Sequence, residues 1–199
     1  MTESADPYFD TGIGDLRNLL GARSTEELRA LEPQIVFANE IELVEAGIAR
    51  TNDLDELRAI HAQLFKGVYD WAGELRTVDL RKNTEGAGFF VMVGYLERAA
   101  GFVFSELRHE NGLRALDRDR FVDRLSYFYD QLNYIHPFRE GNGRAQRVFW
   151  SRVADDAGYQ IVWENVVGDE NDRASRAAAE ADDRTLLLAM FNRIVSPND

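Results

Sequence analysis

The sequence of 199 residues contains no cysteine, only four prolines and three histidines, and no long apolar run. Without cysteine, disulfides and thiolate metal sites are excluded, and this composition fits a protein of the reducing cytoplasm. No run of about 18 apolar residues exists, so the sequence predicts no membrane-spanning helix. The first residues carry neither a basic start nor an apolar stretch, and we expect no secretory signal. These absences predict a cytoplasmic protein.

Positive charge is also scarce. There are 23 Lys and Arg against 35 Asp and Glu, which gives a net charge of −12. Such a surface repels phosphate backbones, so the composition predicts no direct binding of nucleic acid. A negatively charged surface is compatible with simple solubility or with binding to a basic protein partner. Against this background Arg144 and Arg147, three residues apart on a predicted helix, form a local cationic spot.

Apolar residues recur at helical spacing through most of the chain, which predicts a mainly α fold. We predict helices over residues 54–65, 96–107, from Asp117 or Asp119 to Ile135, over 143–157, and near 25–31, 33–46 and 185–194. Pro137 ends the third of these and Gly158 the fourth. We expect residues 196–199 to fray at the terminus.

Two short segments break the helical pattern. Residues 77–80 alternate like a strand, residues 89–93 form an apolar run rich in β-formers, and residues 81–88 between them are turn material. The pattern predicts a β-hairpin attached to a helical body. The length fits a single domain over residues 1–199. It has a core at about 52–158, an N-terminal helical extension at about 16–50 and C-terminal helices at about 170–195.

The chemically densest string of the chain is residues 136–144, HPFREGNGR, followed by Arg147. Its Gly141, Asn142 and Gly143 open a predicted helix. Glycines bring bare N–H groups close to a ligand. The first N–H groups of a helix lack internal acceptors and carry partial positive charge. This segment therefore predicts an anion site suited to phosphate.

The charged residues of the string fit the same interpretation. Arg144 and Arg147 offer planar guanidiniums that bind phosphate oxygens in pairs. A carboxylate beside a phosphate site needs a cation between them, so Glu140 predicts Mg²⁺. His136, with a pKa near neutrality, suits a general base. Phe138 is expected to anchor the loop in the core.

The string resembles the signature of Fic-domain proteins, H-P-F-x-[DE]-G-N-G-R-x-x-R, and matches it at every specified position. The likeness extends upstream through His61, residues 64–65 and residues 68–76, and covers about residues 16–159. It implies the Fic fold, a helical bundle with a short β-hairpin flap over the active site. It also implies protein adenylylation, in which AMP moves from Mg·ATP to a Tyr, Thr or Ser hydroxyl and pyrophosphate leaves.

By the same resemblance, each residue of the string has an expected role. His136 is the general base, and Glu140 holds Mg²⁺ between the α- and β-phosphates. The backbone of residues 141–143 forms the anion hole, and the Asn142 side chain helps to orient the α-phosphate. Arg144 holds the γ-phosphate and Arg147 supports the phosphate end. On the flap, Lys82 and Asn83 match positions near the nucleotide.

The resemblance further implies protein partners. The flap edge is expected to bind an extended segment of a target protein, and type II topoisomerases are one expected target. Related proteins carry an inhibitory helix, [ST]-x-x-x-E-[GN], whose Glu is expected to pair with Arg144. This chain lacks the string, since the spacing from Ser175 to Glu180 is one residue too long. We therefore expect a toxin whose inhibitory helix comes from a separate small antitoxin.

Two other interpretations stay open at this stage. A Fic-fold enzyme can transfer another group, such as UMP, phosphocholine or phosphate, and a Fic-fold protein can be a binding module without catalysis. The intact Gly-Asn-Gly turn favours AMP over phosphate transfer. The presence of both His136 and Glu140 favours an enzyme over a binding module.

Overall fold

The computed structural model describes residues 6–81, 88 and 90–198. In this part of the chain the α-helices are α1 (Thr25–Leu43), α2 (Leu54–Leu64), α3 (Leu96–His109), α4 (Arg118–Ile135), α5 (Asn142–Asp156), α6 (Glu170–Ala181) and α7 (Thr185–Ile194). Two antiparallel pairs accompany them: β1 (Phe9–Asp10) with β2 (Asp15–Leu16), and β3 (Tyr159–Ile161) with β4 (Val195–Pro197). The prediction of a mainly helical fold is confirmed. None of the described helices is long and apolar enough to cross a membrane.

The helix starts follow local capping chemistry. The Asp53 side chain accepts a hydrogen bond from the Glu56 N–H at 3.0 Å and begins α2. The Asp117 side chain does the same for the Arg120 N–H at 3.0 Å and begins α4, which settles the choice between Asp117 and Asp119. Such caps satisfy N–H groups that have no partner within the helix.

An aromatic core fixes helix α5, which begins inside the string of residues 136–147. The rings of Phe104 and Phe149 meet edge to face at 5.5 Å, and those of Phe149 and Trp150 at 4.9 Å. All three side chains are fully buried. Edge-to-face aromatic pairs stabilise a fold beyond the contribution of the apolar area that they bury. Because Phe149 and Trp150 lie on α5, this packing fixes α5, and with it the turn at its N-terminus.

The sequence predicted two helical segments, residues 25–31 and 33–46, where the structure has the single helix α1 with Pro33 inside it. Proline normally disfavours a helix interior. Burial of one face of α1 overrides this local preference. On that face, the Asn39 side chain donates to the carbonyls of Leu64 at 3.0 Å and Lys66 at 2.9 Å. The Asn39 side chain thereby satisfies carbonyl groups at the C-terminal end of α2 and attaches α1 to the core.

The expectation that residues 196–199 fray was wrong for the residues that the structure describes. Val195–Pro197 pairs with Tyr159–Ile161, and the Asn198 N–H donates to the Gly158 carbonyl at 3.0 Å. Local composition gave no signal for this pairing, because the partner strand lies more than thirty residues away along the chain. Asp199 is outside the described residues.

The predicted hairpin is described only at its base. The Phe90 N–H donates to the Leu80 carbonyl at 3.0 Å, which joins the two flanks. No regular strand is formed by residues 77–80 or 90–93, and a 3-10 turn begins at Val93. Residues 82–87 and 89, which include the predicted tip, lie outside the described part. The flanks rest on the end of α4, because the Val91 N–H donates to the Tyr134 carbonyl at 3.2 Å.

Candidate active site

His136 terminates α4 in the left-handed conformation, with φ of 50°. Its N–H still donates to the Leu132 carbonyl at 3.1 Å, so the residue leaves the helix while remaining attached to it. Its Nδ1 lies 3.3 Å from the Asn133 carbonyl. Since a carbonyl only accepts, this contact places the proton on Nδ1 and leaves the lone pair on Nε2. The imidazole also stacks on the Phe90 ring at 3.9 Å.

Arg76 forms a hydrogen bond to the backbone of His136, a role that the sequence did not predict. Arg76 is almost fully buried, and its Nε donates to the His136 carbonyl at 2.8 Å. Its other nitrogens donate to the carbonyls of Val78, Val91 and Ile135. Burial lowers the pKa of Arg76, although arginine remains protonated. One guanidinium thus joins both flanks of the hairpin to the end of α4.

The loop between α4 and α5 is closed by Asn142 and Phe138. The Phe138 N–H donates to Asn142 Oδ1 at 2.9 Å, and Asn142 Nδ2 donates to the Phe138 carbonyl at 2.7 Å. The Phe138 ring is fully buried, which confirms its predicted anchoring role. Both polar atoms of the Asn142 side chain therefore shape the loop. Nδ2 carries a second hydrogen, so the predicted contact of this side chain with the α-phosphate stays a prediction.

Gly141 precedes α5 at a point where no side chain fits. Its φ is 81°, and a Cβ built on it lies 2.2 Å from the Phe65 ring. The Gly141 N–H donates to Glu140 Oε1 at 2.9 Å. Gly143, one residue into α5, is exposed and has open space around its Cα. The turn is therefore pressed against α2 on one side and open on the other.

His61 lies beneath this turn, fully buried in α2. Its Nδ1 accepts from the Gly73 N–H at 2.9 Å, and its Nε2 lies 3.0 Å from the Glu140 carbonyl. Burial lowers the pKa of His61 to about 4, with a smaller contribution from the charge of Arg144. His61 therefore packs in the core, and its ring forms hydrogen bonds to two segments outside its own helix.

Arg144 is surrounded by carboxylates. Its Nη2 lies 2.8 Å from Glu32 Oε1 and 3.2 Å from Glu140 Oε1. The guanidinium lies over the Phe65 ring at 4.7 Å, a cation–π contact. Burial and the carboxylates of Glu32 and Glu140 raise the pKa of Tyr69 far above its usual range. Glu32 was not identified from the sequence, because its place in α1 carries no local mark of this pairing.

Arg147 follows one turn later on α5 and is exposed. Its guanidinium lies 5.7 Å from the centre of the Trp163 ring. Among the described residues no carboxylate lies within ion-pair distance of it. Arg144 and Arg147 thus share one side of α5 and differ in their charge environment.

Two cavities adjoin the first residues of α5. The first has a volume of about 290 Å³ and is lined by His136 and Gly143, together with Phe90, Tyr129, Asn133, Asn171 and Ser175. The second has a volume of about 460 Å³ and is lined by Arg144 and Arg147, together with Glu40, Arg50, Ser151 and Trp163. Because Gly143 and Arg144 are consecutive residues, both cavities reach the first turn of α5, one with His136 in its wall and the other with both arginines.

The structure brings together the predicted residues His136, Glu140, Arg144 and Arg147, with the turn of residues 141–143 among them. Lys82 and Asn83, which were also predicted to lie near the nucleotide, fall outside the described residues. Arg76 and Glu32 are the additions that only the structure reveals.

Comparisons with known proteins agree on one family. The model of the Fic/DOC family matches residues 51–154. The chain is 36% identical over 196 residues to "Probable protein adenylyltransferase Fic" of Escherichia coli strain K12, covering 98% of this chain and 94% of that protein. It is 38% identical over 172 residues to "Protein adenylyltransferase VbhT" of Bartonella schoenbuchensis, covering 86% of this chain and 35% of that longer protein.

A solved structure shows the same fold. The BepC protein of Bartonella tribocorum, determined with bound AMPPNP, superposes with a TM-score of 0.87 at 21% identity, covering 96% of this chain and 97% of that one. The family model covers more than half of the residues, including the whole string from His136 to Arg147. The chain therefore belongs to the Fic/DOC family.

Proposed function

We propose that this protein adenylyltransferase moves AMP from Mg·ATP to a Tyr, Thr or Ser hydroxyl of a target protein, with release of pyrophosphate. One observation carries the proposal: His136 and Gly143, the last residue of the turn, line one cavity, and Arg144 and Arg147, which follow on α5, line a second. This order, base then anion turn then cations, matches the order of a hydroxyl, an α-phosphate and a γ-phosphate along the reaction path.

His136 acts as the general base. Its Nδ1 contact with the Asn133 carbonyl leaves Nε2 as the proton acceptor. Nε2 takes the proton of the target hydroxyl while the oxygen attacks the α-phosphorus and the bond to the pyrophosphate oxygen breaks. A base placed in this way contributes about 10²–10⁴-fold in rate.

The backbone of residues 141–143 and the two arginines hold the phosphates. The described residues provide no side-chain cap for α5, so its first N–H groups and their partial positive charge are available at the turn. Arg144 binds the γ-phosphate and Arg147 supports the phosphate end. Positioning and charge stabilisation are the main contributions a protein makes to phosphorus transfer.

Glu140 fits a magnesium site of the kind that uses one carboxylate. Its side chain is about half exposed at the turn, with 46% of its surface accessible. The described residues contain no cluster of three or more acidic or histidine side chains that would hold a metal alone. Mg²⁺ bound here would take its other ligands from phosphate oxygens and water, and it would neutralise charge on the phosphates.

The cavity beside His136 is proposed as the nucleoside site. It has room for a base and ribose, and its walls come from α4 and α6. The Ser175 hydroxyl on α6 is buried and has no hydrogen-bond partner among the described residues. An unpaired buried hydroxyl is costly unless a ligand satisfies it. A polar edge of the nucleoside would supply that partner.

The target protein is proposed to bind along the hairpin flap, as an extended segment paired with its edge. The flap base lies close to His136, since the Phe90 ring stacks on that imidazole. Lys82 and Asn83 belong to this proposal as nucleotide-side residues of the flap. A type II topoisomerase remains one expected target, and a cytoplasmic location agrees with the absence of cysteine.

We further propose that the chain is a toxin restrained by a small antitoxin. Large apolar side chains are exposed on α1 and just after it: Phe37 at 65%, Ile41 at 62% and, following the helix, Val44 at 87%. Exposed apolar patches of this kind are typical of protein interfaces. An antitoxin helix that covers these side chains would lie next to the cavity that holds Arg144 and Arg147, because Glu40 of α1 lines that cavity.

Labelled nucleotides test the reaction. The chain is incubated with Mg²⁺ and a bacterial lysate, with ATP labelled at the α-phosphate in one sample and at the γ-phosphate in the other. AMP transfer labels protein from α-labelled ATP only. Protein labelled from γ-labelled ATP would indicate phosphate transfer. Labelling from α-labelled UTP but not from ATP would indicate UMP transfer. The absence of label in all samples would favour a binding module.

A further inference from the structure

His61 connects α2 to the loop that carries the anion turn. Its ring lies between two aromatic rings, with the Phe138 ring at 3.9 Å and the Phe65 ring at 4.6 Å, both stacked. Phe138 belongs to the loop, and Phe65 is the residue against which Gly141 presses. This stacking alone fixes the position and the plane of the imidazole.

The two hydrogen bonds define which nitrogen of His61 carries the proton. The Gly73 N–H lies 2.9 Å from Nδ1, and a backbone N–H can only donate, so Nδ1 is bare. The Glu140 carbonyl lies 3.0 Å from Nε2, and a carbonyl can only accept, so Nε2 carries the hydrogen. The neutral Nε2–H tautomer satisfies both partners, and no other state of the ring does.

This bond orients the peptide that joins Glu140 to Gly141. A trans peptide is planar, and its C=O and N–H point in opposite directions. His61 draws the Glu140 carbonyl towards α2, and the Gly141 N–H therefore points away from α2, to the open side of the turn. There it donates to Glu140 Oε1 at 2.9 Å. The same N–H is the first donor of the proposed anion hole.

We propose that His61 is a positioning residue for the transfer reaction: through its Nε2–H bond to the Glu140 carbonyl it presets the Gly141 N–H towards the phosphate. The proposal rests on the proposed function for the identity of the reaction, and on the described contacts for the geometry. His61 contacts neither the nucleotide nor the target in this role. It acts through one peptide plane of the loop.

Two variants separate the hydrogen bond from the packing. His61→Phe keeps a stacked ring between Phe65 and Phe138 and loses both hydrogen bonds. His61→Gln keeps an amide N–H donor at about the reach of Nε2. Trp71→Phe is the matched control, because Trp71 stacks on His61 at 6.1 Å and its indole N–H has no partner among the described residues.

The expected result is a split in the kinetic constants for ATP, measured per folded molecule with α-labelled ATP. In His61→Phe, kcat falls about 10–100-fold, since a small misplacement of a catalytic donor has that effect, while KM changes less. His61→Gln recovers part of kcat, and Trp71→Phe stays near the wild type. A wild-type kcat in His61→Phe, or equal losses in all three variants, would overturn the proposal.

A second measurement does not depend on activity. In the ¹⁵N spectrum of the uniformly labelled wild-type chain, His61 is expected as the Nε2–H tautomer. The Gly141 amide resonance should shift in His61→Phe and return towards its original position in His61→Gln. An Nδ1–H tautomer, or an unmoved Gly141 resonance, would overturn the role of His61. Should His61→Phe fail to fold, the wild-type tautomer and His61→Gln decide the outcome. If the wild-type chain transfers no AMP, only the proposed function is contradicted, because the spectra still test the role of His61 in the loop.

Discussion

Arg144 Nη2 lies 2.8 Å from Glu32 Oε1, so an acidic residue of α1 contacts an arginine of the proposed phosphate site. The carboxylate is mostly buried, with 13% of its side chain accessible, and the guanidinium is one-third exposed. Phosphate oxygens that bind Arg144 must compete with this carboxylate. The pair therefore links the N-terminal helix to nucleotide affinity, although Glu32 is outside the string that identifies the family.

Glu32→Gln should strengthen ATP binding by about two- to five-fold. The substitution removes one competing negative charge, and a partly exposed ion pair contributes about 1 kcal/mol or less. Titration calorimetry with a non-hydrolysable ATP analogue measures the effect. Glu42→Gln, an exposed residue of the same helix, controls for the change in net charge and should leave affinity unchanged.

The same variant tests the antitoxin proposal. We expect the wild-type chain alone to transfer AMP, and Glu32→Gln to alter the rate only modestly. If the wild-type chain proves inactive and Glu32→Gln becomes active, the restraint lies within the chain. A separate antitoxin helix would then be unnecessary.

Arg144→Ala should weaken ATP binding by about ten-fold or more and AMP binding by less than about two-fold. A charged hydrogen bond to phosphate contributes about 1.5–3 kcal/mol, and AMP lacks the phosphate that Arg144 is proposed to hold. Arg98→Ala is the matched control, because that guanidinium also lies over a phenyl ring, that of Phe102. Equal losses for ATP and AMP would show that Arg144 does not bind the γ-phosphate.

His136→Ala should leave the Kd for ATP within about three-fold of the wild type. The substitution removes the base, while the turn of residues 141–143 and both arginines remain. His109→Ala, on the exposed end of α3, serves as the control for loss of an imidazole. A large fall in ATP affinity in His136→Ala alone would show that His136 binds the nucleotide, whose proposed cavity it lines, and does not act only on the hydroxyl.

Gly141→Ala should lower the free energy of unfolding by about 2–5 kcal/mol. The left-handed backbone costs a residue with Cβ about 1–2 kcal/mol, and the overlap with the Phe65 ring adds about 1–3 kcal/mol. Gly143→Ala should change the free energy of unfolding by less than about 1 kcal/mol, because a Cβ at position 143 meets open space. Urea unfolding of both variants measures the difference. Similar values for the two would contradict the described packing of the turn on α2.

Local patterns in the sequence were sufficient to predict most helices and the turn that opens α5. The stripe of residues 96–107 and the Asp117 cap depend on neighbours within a few positions, and they were predicted well. The turn of residues 141–143 was also predicted, because glycines and a helix start are adjacent in the chain. The predicted roles of Lys82 and Asn83 stay predictions, since both lie outside the described residues.

Long-range contacts could not be predicted in this way. Arg76 binds the His136 carbonyl from 60 positions away, and Glu32 meets Arg144 from a separate helix. Pro33 stays inside α1 because burial against α2 outweighs its local preference. The C-terminal strand likewise depends on a partner elsewhere, Tyr159–Ile161. Each of these features arises from tertiary packing, which periodicity and turn chemistry do not encode.

The most direct measurement is the transfer of label from α-labelled ATP to protein in a bacterial lysate, with Mg²⁺, by the wild-type chain and by His136→Ala. The wild-type chain, and His109→Ala as its control, should label one or a few proteins. His136→Ala should lose about 10²–10⁴-fold of the rate, the contribution expected of a general base. Equal labelling by His136→Ala and the wild type would contradict the assignment of His136 as the base for AMP transfer.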